Sequence, residues 1–270
     1  MTSTSESTQR SRPVSVAAVV THGRKDLHGA LEAVRALASG MGVALVDDPL
    51  DSELTVVLGG DGTMLRTLAR VLGRDVPVIG VHFGRVGFLA SIAPDDLERD
   101  LARVFRGEYI AVALPSLEVT VAGARHAAVN DVVVTSGTLG RMVEIRWAVG
   151  GEDLGMVPCD GMIVSTPSGS TAYNLSNGGP VLVRGLDAMA VTFIAPHSLH
   201  ARPLVVPRGL EVTVENLTPD VELAVLVDGH LVAGVDAGDT ASVGLCGEQS
   251  LLAMLPETTF FGRYRETFSS

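Results

Sequence analysis

Lysine and cysteine are scarce in the 270-residue sequence, and both shortages exclude chemistry. Lysine occurs once, as Lys25, and is followed by Asp26, so a Walker A loop is absent and a pyridoxal-phosphate Schiff base has no supporting context. The two cysteines, Cys159 and Cys246, provide neither a disulfide framework nor a zinc-ligand set. The expected location is therefore a reducing compartment, the cytoplasm.

Charge and hydrophobicity limit the partners. The net charge is −11, so we expect no basic face for a phosphate backbone and no nucleic-acid partner. Gly, Pro or charged residues interrupt the apolar runs well short of the length of a membrane span, so no membrane partner is expected either. Aromatic residues make up only 4% of the chain, so the core must consist mainly of Val, Leu, Ala and Ile.

Residues 13–114 alternate short β-branched runs with amphipathic helical segments. This pattern predicts an N-terminal α/β domain with a Rossmann-like parallel sheet. The predicted strands are residues 14–20, 54–58 and 76–81, and the predicted helices are residues 27–39, 64–72 and 95–106. Residues 1–12 are polar and rich in Ser and Thr, which predicts a disordered tail and not a secretory signal.

Residues 115–251 have a different pattern, which predicts a β-rich C-terminal domain. Gly, Pro or Asn-Asp turns separate short apolar runs, and the best helical segment is residues 172–176. The predicted strands are residues 117–122, 127–135, 143–149, 161–165, 190–194, 210–215, 224–227 and 240–245.

The sequence Gly-Gly-Asp-Gly-Thr occupies residues 59–63, directly after a buried strand and before a helix. Open α/β sheets bind ligands at the carboxyl ends of their strands, and glycines let backbone N–H groups approach phosphate oxygens. Asp61 is then a carboxylate beside a phosphate site, where it can accept a proton or help to hold Mg²⁺. The alternative is a tight turn with Asp61 as the N-cap, but the strand–helix setting favours function.

Four other motifs are candidates for a functional or a structural role. Residues 160–180 form a run of hydroxyls, glycines and amides that suits ribose and base recognition, or a polar surface loop. Asn130-Asp131 opens a predicted strand as an Asx turn, and Asp228-Gly229-His230 is typical of a hairpin turn. The pair His197 and His200 has helical metal-ligand spacing but no third ligand nearby, so a structural role is favoured.

Together these motifs resemble the NAD kinase family. The resemblance runs from Thr21 almost to the C-terminus and includes residues 59–63, 80–89, 130–131, 160–180 and 196–203. Gly-Gly-Asp-Gly-Thr alone also occurs in diacylglycerol and sphingosine kinases and, in variant form, in 6-phosphofructokinases. The block at residues 165–173 is far more specific.

The resemblance implies an enzyme that phosphorylates the 2′-hydroxyl of the adenosine ribose of NAD to give NADP. It implies a divalent metal ion, with Mg²⁺ expected, and either ATP or polyphosphate as the donor. It also implies a homodimer or homotetramer, and a tail at residues 252–270 that packs back on the N-terminal domain.

The resemblance also assigns site residues, although no metal ligand. Asp61 is implied as the catalytic residue and, with Gly62 and Arg66, lines the nucleotide site. Asn130 and Asp131 hold a ribose, and Asp160 reaches the nicotinamide end. The remaining residues that line the dinucleotide site are Arg141, Thr171, Ala172, Tyr173, Asn174, Leu175, Ser176, Ala195 and His230.

The sequence departs from the family pattern at three places. Asp131 stands where the family more often has Glu, and His82 stands where it usually has Asn. The tail lacks the lysine that usually ends it and has Thr267 there.

Two rival functions stay open at this point. A lipid or sugar kinase shares the glycine–aspartate loop, but predicts an apolar or sugar-shaped acceptor site. A non-catalytic nucleotide sensor would be expected to lose Asp61 or the Asn130-Asp131 pair, and both are present.

Overall fold

The structure is a computed structural model that describes residues 9–10, 12–21, 27–83 and 87–268. Most of the expected tail and residues 22–24 and 84–86 of the motifs lie outside the described residues, although Gln9–Arg10 form a short strand. The strands are β1 (Gln9–Arg10), β2 (Val16–Thr21), β3 (Ala44–Val46), β4 (Leu54–Gly59), β5 (Pro77–His82), β6 (Ile110–Val121), β7 (Ala124–Ala128), β8 (Asp131–Ser136), β9 (Val143–Val149), β10 (Glu152–Cys159), β11 (Gly161–Ser165), β12 (Ala188–Ile194), β13 (Leu204–Pro207), β14 (Val212–Asn216), β15 (Leu223–Val227), β16 (His230–Val235) and β17 (Thr240–Met254). The helices are α1 (His28–Met41), α2 (Asp61–Arg70), α3 (Leu97–Phe105), α4 (Tyr173–Ser176) and α5 (Phe260–Phe268).

The chain divides into two compact units. The first unit is Met1–Leu114 with Gln249–Ser270, and the second unit is Pro115–Glu248. The structure confirms the predicted fold class, because the first unit has a mostly parallel α/β sheet and the second is β-rich and antiparallel.

A parallel sheet organises the first unit. Its strand order is β3–β2–β4–β5, and Leu251 and Leu252 of β17 extend it beside β5. Every residue of β4 is buried, as expected for a strand covered on both faces. Helices α1 and α3 contribute Val34 and Leu101 to the same apolar cluster as the strands. Strands β4 and β5 end side by side, with Gly59 opposite His82.

Antiparallel strands form the second unit. One sheet has the order β13–β12–β11–β8–β15–β16, and β10, β9, β14 and the first part of β17 pair antiparallel in a second layer. Residues of both layers share one apolar core. Trp147 of β9 and Phe193 of β12 meet edge to face within it, with ring centroids 5.3 Å apart.

Five strands were not predicted from the sequence, namely β1, β3, β10, β13 and β16. Strand β1 pairs with β6, and the other four lie at the ends of the strand orders. An edge strand needs neither continuous burial nor a full ladder, so it tolerates Pro158 in β10 and Pro207 in β13. These segments therefore lack the apolar alternation from which strands are predicted.

Several predicted elements have different boundaries. Strand β6 begins at Ile110 and not at residue 117, and β17 continues to Met254 and not to residue 245. Residues 127–135 form two strands, β7 and β8, because side chains bind the backbone of Val129 and Asn130 between them. Helix α2 begins at residue 61 and not at residue 64, with Gly60 as its N-cap, so Asp61 is the first helical residue and not the cap. Within the described ranges, no helix is long and apolar enough to cross a membrane.

Candidate active site

The loop at residues 59–63 places Asp61 at the carboxyl edge of the parallel sheet. Strand β4 ends at Gly59, Gly60 is extended, and α2 begins at Asp61. The amides of Thr63 and Met64 donate to the Gly60 carbonyl oxygen at 2.9 and 3.1 Å, which closes the first turn. The N-terminus of α2 carries a partial positive charge, so this edge of the sheet favours an anion.

The backbone at Gly87 and Phe88 holds the Asp61 carboxylate. The Phe88 amide donates to Asp61 Oδ2 at 3.0 Å. Gly87 lies so close that a Cβ added to it would overlap the carboxyl group of Asp61. Glycine is therefore required at this position by close approach, and the hydrogen bond fixes one carboxylate oxygen, Oδ2.

His82 lies at the same edge of the sheet, beside Gly59. Its Nδ1 is buried and has no hydrogen-bond partner among the described residues. Burial lowers the pKa of His82, the positive charge of Arg263 lowers it further, and the charge of Asp61 opposes both. The imidazole is therefore neutral at physiological pH.

The other two predicted residues of this loop are exposed. Gly62 has open space around its Cα. Arg66 lies one turn further along α2, and its Nη2 donates to Thr63 Oγ1 at 3.3 Å. Both positions are accessible to a ligand in solution.

In the second unit, the hydroxyl-rich segment that follows β11 is held against Asn130. Thr166 donates from its amide to the Asn130 carbonyl oxygen at 2.9 Å and from Oγ1 to the Val129 carbonyl oxygen at 2.7 Å. Gly169 packs directly on Asn130, so that an added Cβ would overlap the Asn130 backbone. The two motifs, far apart in sequence, therefore form one structural unit.

Asp228 holds the Asn130-Asp131 turn from the other side. Its carboxylate accepts the amides of Val129 at 2.9 Å, Asn130 at 2.7 Å and Asp131 at 3.2 Å. Asp228 and Gly229 have φ of 47° and 80°, so they form the tight turn between β15 and β16. The hairpin interpretation of this motif is correct, and the turn also presents a carboxylate to three backbone donors.

Asp131 is a buried acid, with only 6% of its surface exposed. Burial raises the pKa of Asp131 to about 6, and the neighbouring charge of Asp228 acts in the same direction. Burial also raises the pKa of Asp228, although its three backbone donors oppose the shift. The second unit thus keeps two carboxyl groups in a place that disfavours their charged forms.

Asn174 has a structural place within the loop. It is fully buried. Its Nδ2 donates to the carbonyl oxygens of Ser170 and Pro180, each at 3.0 Å, and its Oδ1 accepts Thr192 Oγ1 at 2.7 Å. Because these bonds occupy its amide, the Asn174 side chain fixes the shape of the loop.

Two other polar atoms near this loop lack partners. Asn130 Oδ1 and Ser168 Oγ are buried, and within the described part of the chain neither has a hydrogen-bond partner. Buried polar atoms are almost always hydrogen-bonded, so these two atoms mark a place where a water molecule or another polar group can bind.

The remaining sequence-predicted residues lie on the surface of the second unit. Tyr173 is 45% exposed, and Thr171 and Leu175 are half-buried. Ala195 has a left-handed backbone with φ of 42°, and His230 Nδ1 lies 3.1 Å from the Asp228 carbonyl oxygen. The exposed members are Arg141, Asp160, Ala172, Tyr173, Ser176, Ala195 and His230.

Sequence reasoning gave no role to Gly87, Phe88 or Asp228. Phe88 is 27 residues from Asp61, and Asp228 is 97 to 99 residues from the amides that it accepts. In the sequence, these residues were marked only by the glycines that follow β5 and by an Asp-Gly pair whose carboxylate can accept hydrogen bonds.

The described residues contain no group of three or more His, Cys, Asp or Glu that could hold a metal ion. Both cysteines are free. The donor groups of the described residues therefore do not form a protein-built metal centre.

Comparison with known proteins identifies the family. Residues 42–109 match the ATP-NAD kinase N-terminal domain, and residues 129–254 match the ATP-NAD kinase C-terminal domain. The NAD kinase of Gemmatimonas aurantiaca is 40% identical over 225 residues, which cover 81% of this chain and 77% of that protein. The chain belongs to the NAD kinase family of phosphotransferases. The NAD kinase of Heliobacterium modesticaldum is also 40% identical, over 79% of this chain and 77% of its own length.

Two solved structures share the fold. An NAD kinase from Archaeoglobus fulgidus in complex with ATP superposes with a TM-score of 0.78 at 26% identity, over 93% of this chain and 98% of that one. Yeast NADH kinase complexed with NADH gives a TM-score of 0.85 at 21% identity, over 96% of this chain and 89% of that one.

The contact between Gly87 and Asp61 can be tested with Gly87→Ala. The added Cβ must displace the Asp61 carboxylate, so we expect kcat to fall by about 100-fold, the scale expected for misplacement by about an ångström. Gly40→Ala in α1 is the matched control, because its Cβ would meet open space. Steady-state kinetics of both variants measure the effect, and wild-type turnover in Gly87→Ala would contradict it.

The buried charge of Asp131 can be tested with Asp131→Asn. The folded pKa of about 6 lies above the ordinary 3.8, so the folded state binds the proton more tightly than the unfolded state. Wild-type stability therefore falls as pH rises through this window and is flat above it. We expect the variant to lose this slope and to gain roughly 1–3 kcal/mol in the free energy of unfolding at neutral pH.

Urea unfolding of wild type and Asp131→Asn, measured from about pH 4 to about pH 8, checks this expectation. Asp236→Asn is the control, because Asp236 is an exposed acid of the same unit. A variant that is less stable than wild type at neutral pH would show that Asp131 is not a destabilising buried charge.

Proposed function

We propose that this chain transfers the terminal phosphoryl group of ATP to the 2′-hydroxyl of the adenosine ribose of NAD, giving NADP. The observation that carries the proposal is the placement of Asp61, at the start of α2 with one carboxylate oxygen held by the Phe88 amide. Such a group is fixed, close to an anion-favouring helix terminus, and has a second oxygen for a substrate hydroxyl.

The proposed step is a direct in-line transfer. The ribose oxygen attacks the terminal phosphorus while Asp61 orients the hydroxyl and accepts its proton, and the bond from that phosphorus to the bridging oxygen breaks. Backbone amides of the loop at residues 59–63 stabilise the charge that develops on the phosphoryl oxygens. No covalent enzyme intermediate is needed.

We assign recognition of the dinucleotide to the second unit. Asn130 and Asp131 hold a ribose, and the unpartnered Asn130 Oδ1 supports this role. Tyr173 offers an exposed ring for stacking, and Asp160 reaches the nicotinamide end. The other contacts proposed from the family pattern are Gly62 and Arg66 at the nucleotide, and Arg141, Thr171, Ala172, Asn174, Leu175, Ser176, Ala195 and His230 at the dinucleotide.

ATP is the proposed donor, and the Archaeoglobus relative solved with ATP supports it. Polyphosphate is the alternative.

We propose Mg²⁺ as the divalent ion. Because the described residues form no cluster of metal ligands, the ion would enter with the phosphates of the donor and neutralise their charge. No step is assigned to a metal held by the protein.

We also propose a cytoplasmic homodimer or homotetramer. Leu154 and Met156 are 42% and 55% exposed on the edge strand β10, and such a strand can pair with a second copy.

For the domains, we propose residues 13–114 and 115–251, with residues 252–270 as a tail belonging to the N-terminal domain. The division at Leu114 and the grouping of Gln249–Ser270 with the first unit support these limits.

The rival functions predict different substrates. A lipid or sugar kinase requires an apolar or sugar-shaped acceptor site, whereas the loop after β11 offers hydroxyls and the buried unpartnered Ser168 Oγ. A nucleotide sensor without catalysis does not require the hydrogen bond that fixes Asp61.

A coupled assay tests the function and the donor together. Purified protein is incubated with NAD, Mg²⁺ and either ATP or polyphosphate, and an NADP-specific dehydrogenase detects the product. We expect NADP with ATP. Folded protein that makes no NADP with either donor would exclude the proposed activity and direct attention to lipid and sugar acceptors.

The role of Asp61 can be tested with Asp61→Asn. The amide keeps the shape of the carboxylate but cannot accept the proton, so we expect NAD binding within about two-fold of wild type and a loss of turnover of about 100-fold or more. Calorimetry measures the binding and the coupled assay measures turnover. Turnover near the wild-type rate would show that Asp61 is not the base.

A further inference from the structure

The C-terminal helix α5 makes ring contacts with Phe88. The ring centroid of Phe88 lies 6.2 Å from that of Phe260 and 5.9 Å from that of Phe268, at the two ends of the helix. Tyr264 packs on Phe268 in turn, with their centroids 4.9 Å apart. The side chain of Phe88 therefore lies against the length of α5.

Arg263 binds the same segment of chain. Its Nη2 donates to the Ala90 carbonyl oxygen at 3.0 Å, and Glu266 lies 3.4 Å from its Nη1. Only 12% of the Arg263 side chain is exposed, although its guanidinium is charged. The charge of Arg263 also lowers the pKa of His82, which places it near the carboxyl edge of the sheet.

These contacts are not those of a core helix. None of the described residues of α5 is fully buried, and none belongs to the apolar cluster of the first unit. The ring contacts and the hydrogen bond that link the helix to the rest of the first unit instead meet at Phe88 and Ala90. Phe88 is also the residue whose amide binds Asp61 Oδ2.

We propose that α5 positions the catalytic carboxylate, with Arg263 and Phe268 as positioning residues that act through the segment from Phe88 to Ala90. The ring contacts fix the side chain of Phe88, and the Arg263 bond fixes the backbone two residues later. Together they hold the Phe88 amide in place against Asp61. The proposal rests on the proposed function, because it assigns a catalytic role to Asp61.

Two pairs of variants test the proposal in the full-length protein. Arg263→Gln removes the bond to Ala90, and Arg263→Lys keeps a charged donor there. Phe268→Leu removes a ring that packs on Phe88. Phe261→Leu is its matched control on the same helix, because Phe261 is 68% exposed and its ring is not among those that contact Phe88 in the described part of the chain.

We expect Arg263→Gln and Phe268→Leu to lower kcat by about 10-fold while KM for NAD changes by less than about two-fold, since a positioning loss acts on the reacting group and not on substrate binding. Arg263→Lys should recover much of the loss, and Phe261→Leu should match wild type. Equal kcat in Arg263→Gln, Phe268→Leu and wild type would overturn the proposal.

A double-mutant cycle separates positioning from general destabilisation. In the Asp61→Asn background there is no carboxylate left to position, so adding Arg263→Gln should leave the residual rate unchanged. A second loss of similar size would show that Arg263 acts independently of Asp61, and would also overturn the proposal. If Arg263→Gln does not fold, the same cycle with Phe268→Leu decides.

Failure of this proposal is distinct from failure of the proposed function. Wild-type protein that makes no NADP overturns the function, and the catalytic role of α5 with it. Active wild type with an unaffected Arg263→Gln overturns the positioning role alone.

Discussion

The close approach of the Asp61 carboxylate to the backbone at residues 87 and 88 is the constraint on which the first unit depends. It requires glycine at residue 87, and it requires that β4 and β5 end side by side so that the loops that follow them can meet. The hydrogen bond from the Phe88 amide then fixes one oxygen of the carboxylate. Without this contact, the loop at residues 59–63 would still form a tight strand–helix turn, but the side chain of Asp61 would not be held in one position.

The second unit also holds a polar turn in place, and the buried acid beside that turn lowers the stability of the fold. It holds the Asn130-Asp131 turn with the carboxylate of Asp228, through three backbone amides, while Asp131 itself is buried. Burial of a second carboxyl group beside the first raises the pKa of Asp131 to about 6, so its charge is unfavourable at neutral pH. Among the described residues Asn130 Oδ1 also lacks a hydrogen-bond partner, so this turn is not arranged for maximum stability.

The sequence was sufficient for the fold class and for the loop that carries Asp61, because both depend on local periodicity and turn residues. It failed at β1, β3, β10, β13 and β16, since edge strands need no regular apolar alternation. It also could not show that Phe88 binds Asp61 or that Asp228 binds the turn at Asn130. These contacts join residues 27 to 99 positions apart, and an Asp-Gly turn looks the same whether or not its carboxylate has distant donors.

The most direct test of the central contact is amide hydrogen exchange at Phe88, compared between wild type and Asp61→Ala. If the carboxylate binds this amide as described, exchange in wild type is slow, and removal of the acceptor accelerates it by about 100-fold or more. The amides of α3 serve as the internal reference for global stability. Equal exchange at Phe88 in the two proteins would show that the carboxylate is not held there, and would contradict the account of Asp61 given above.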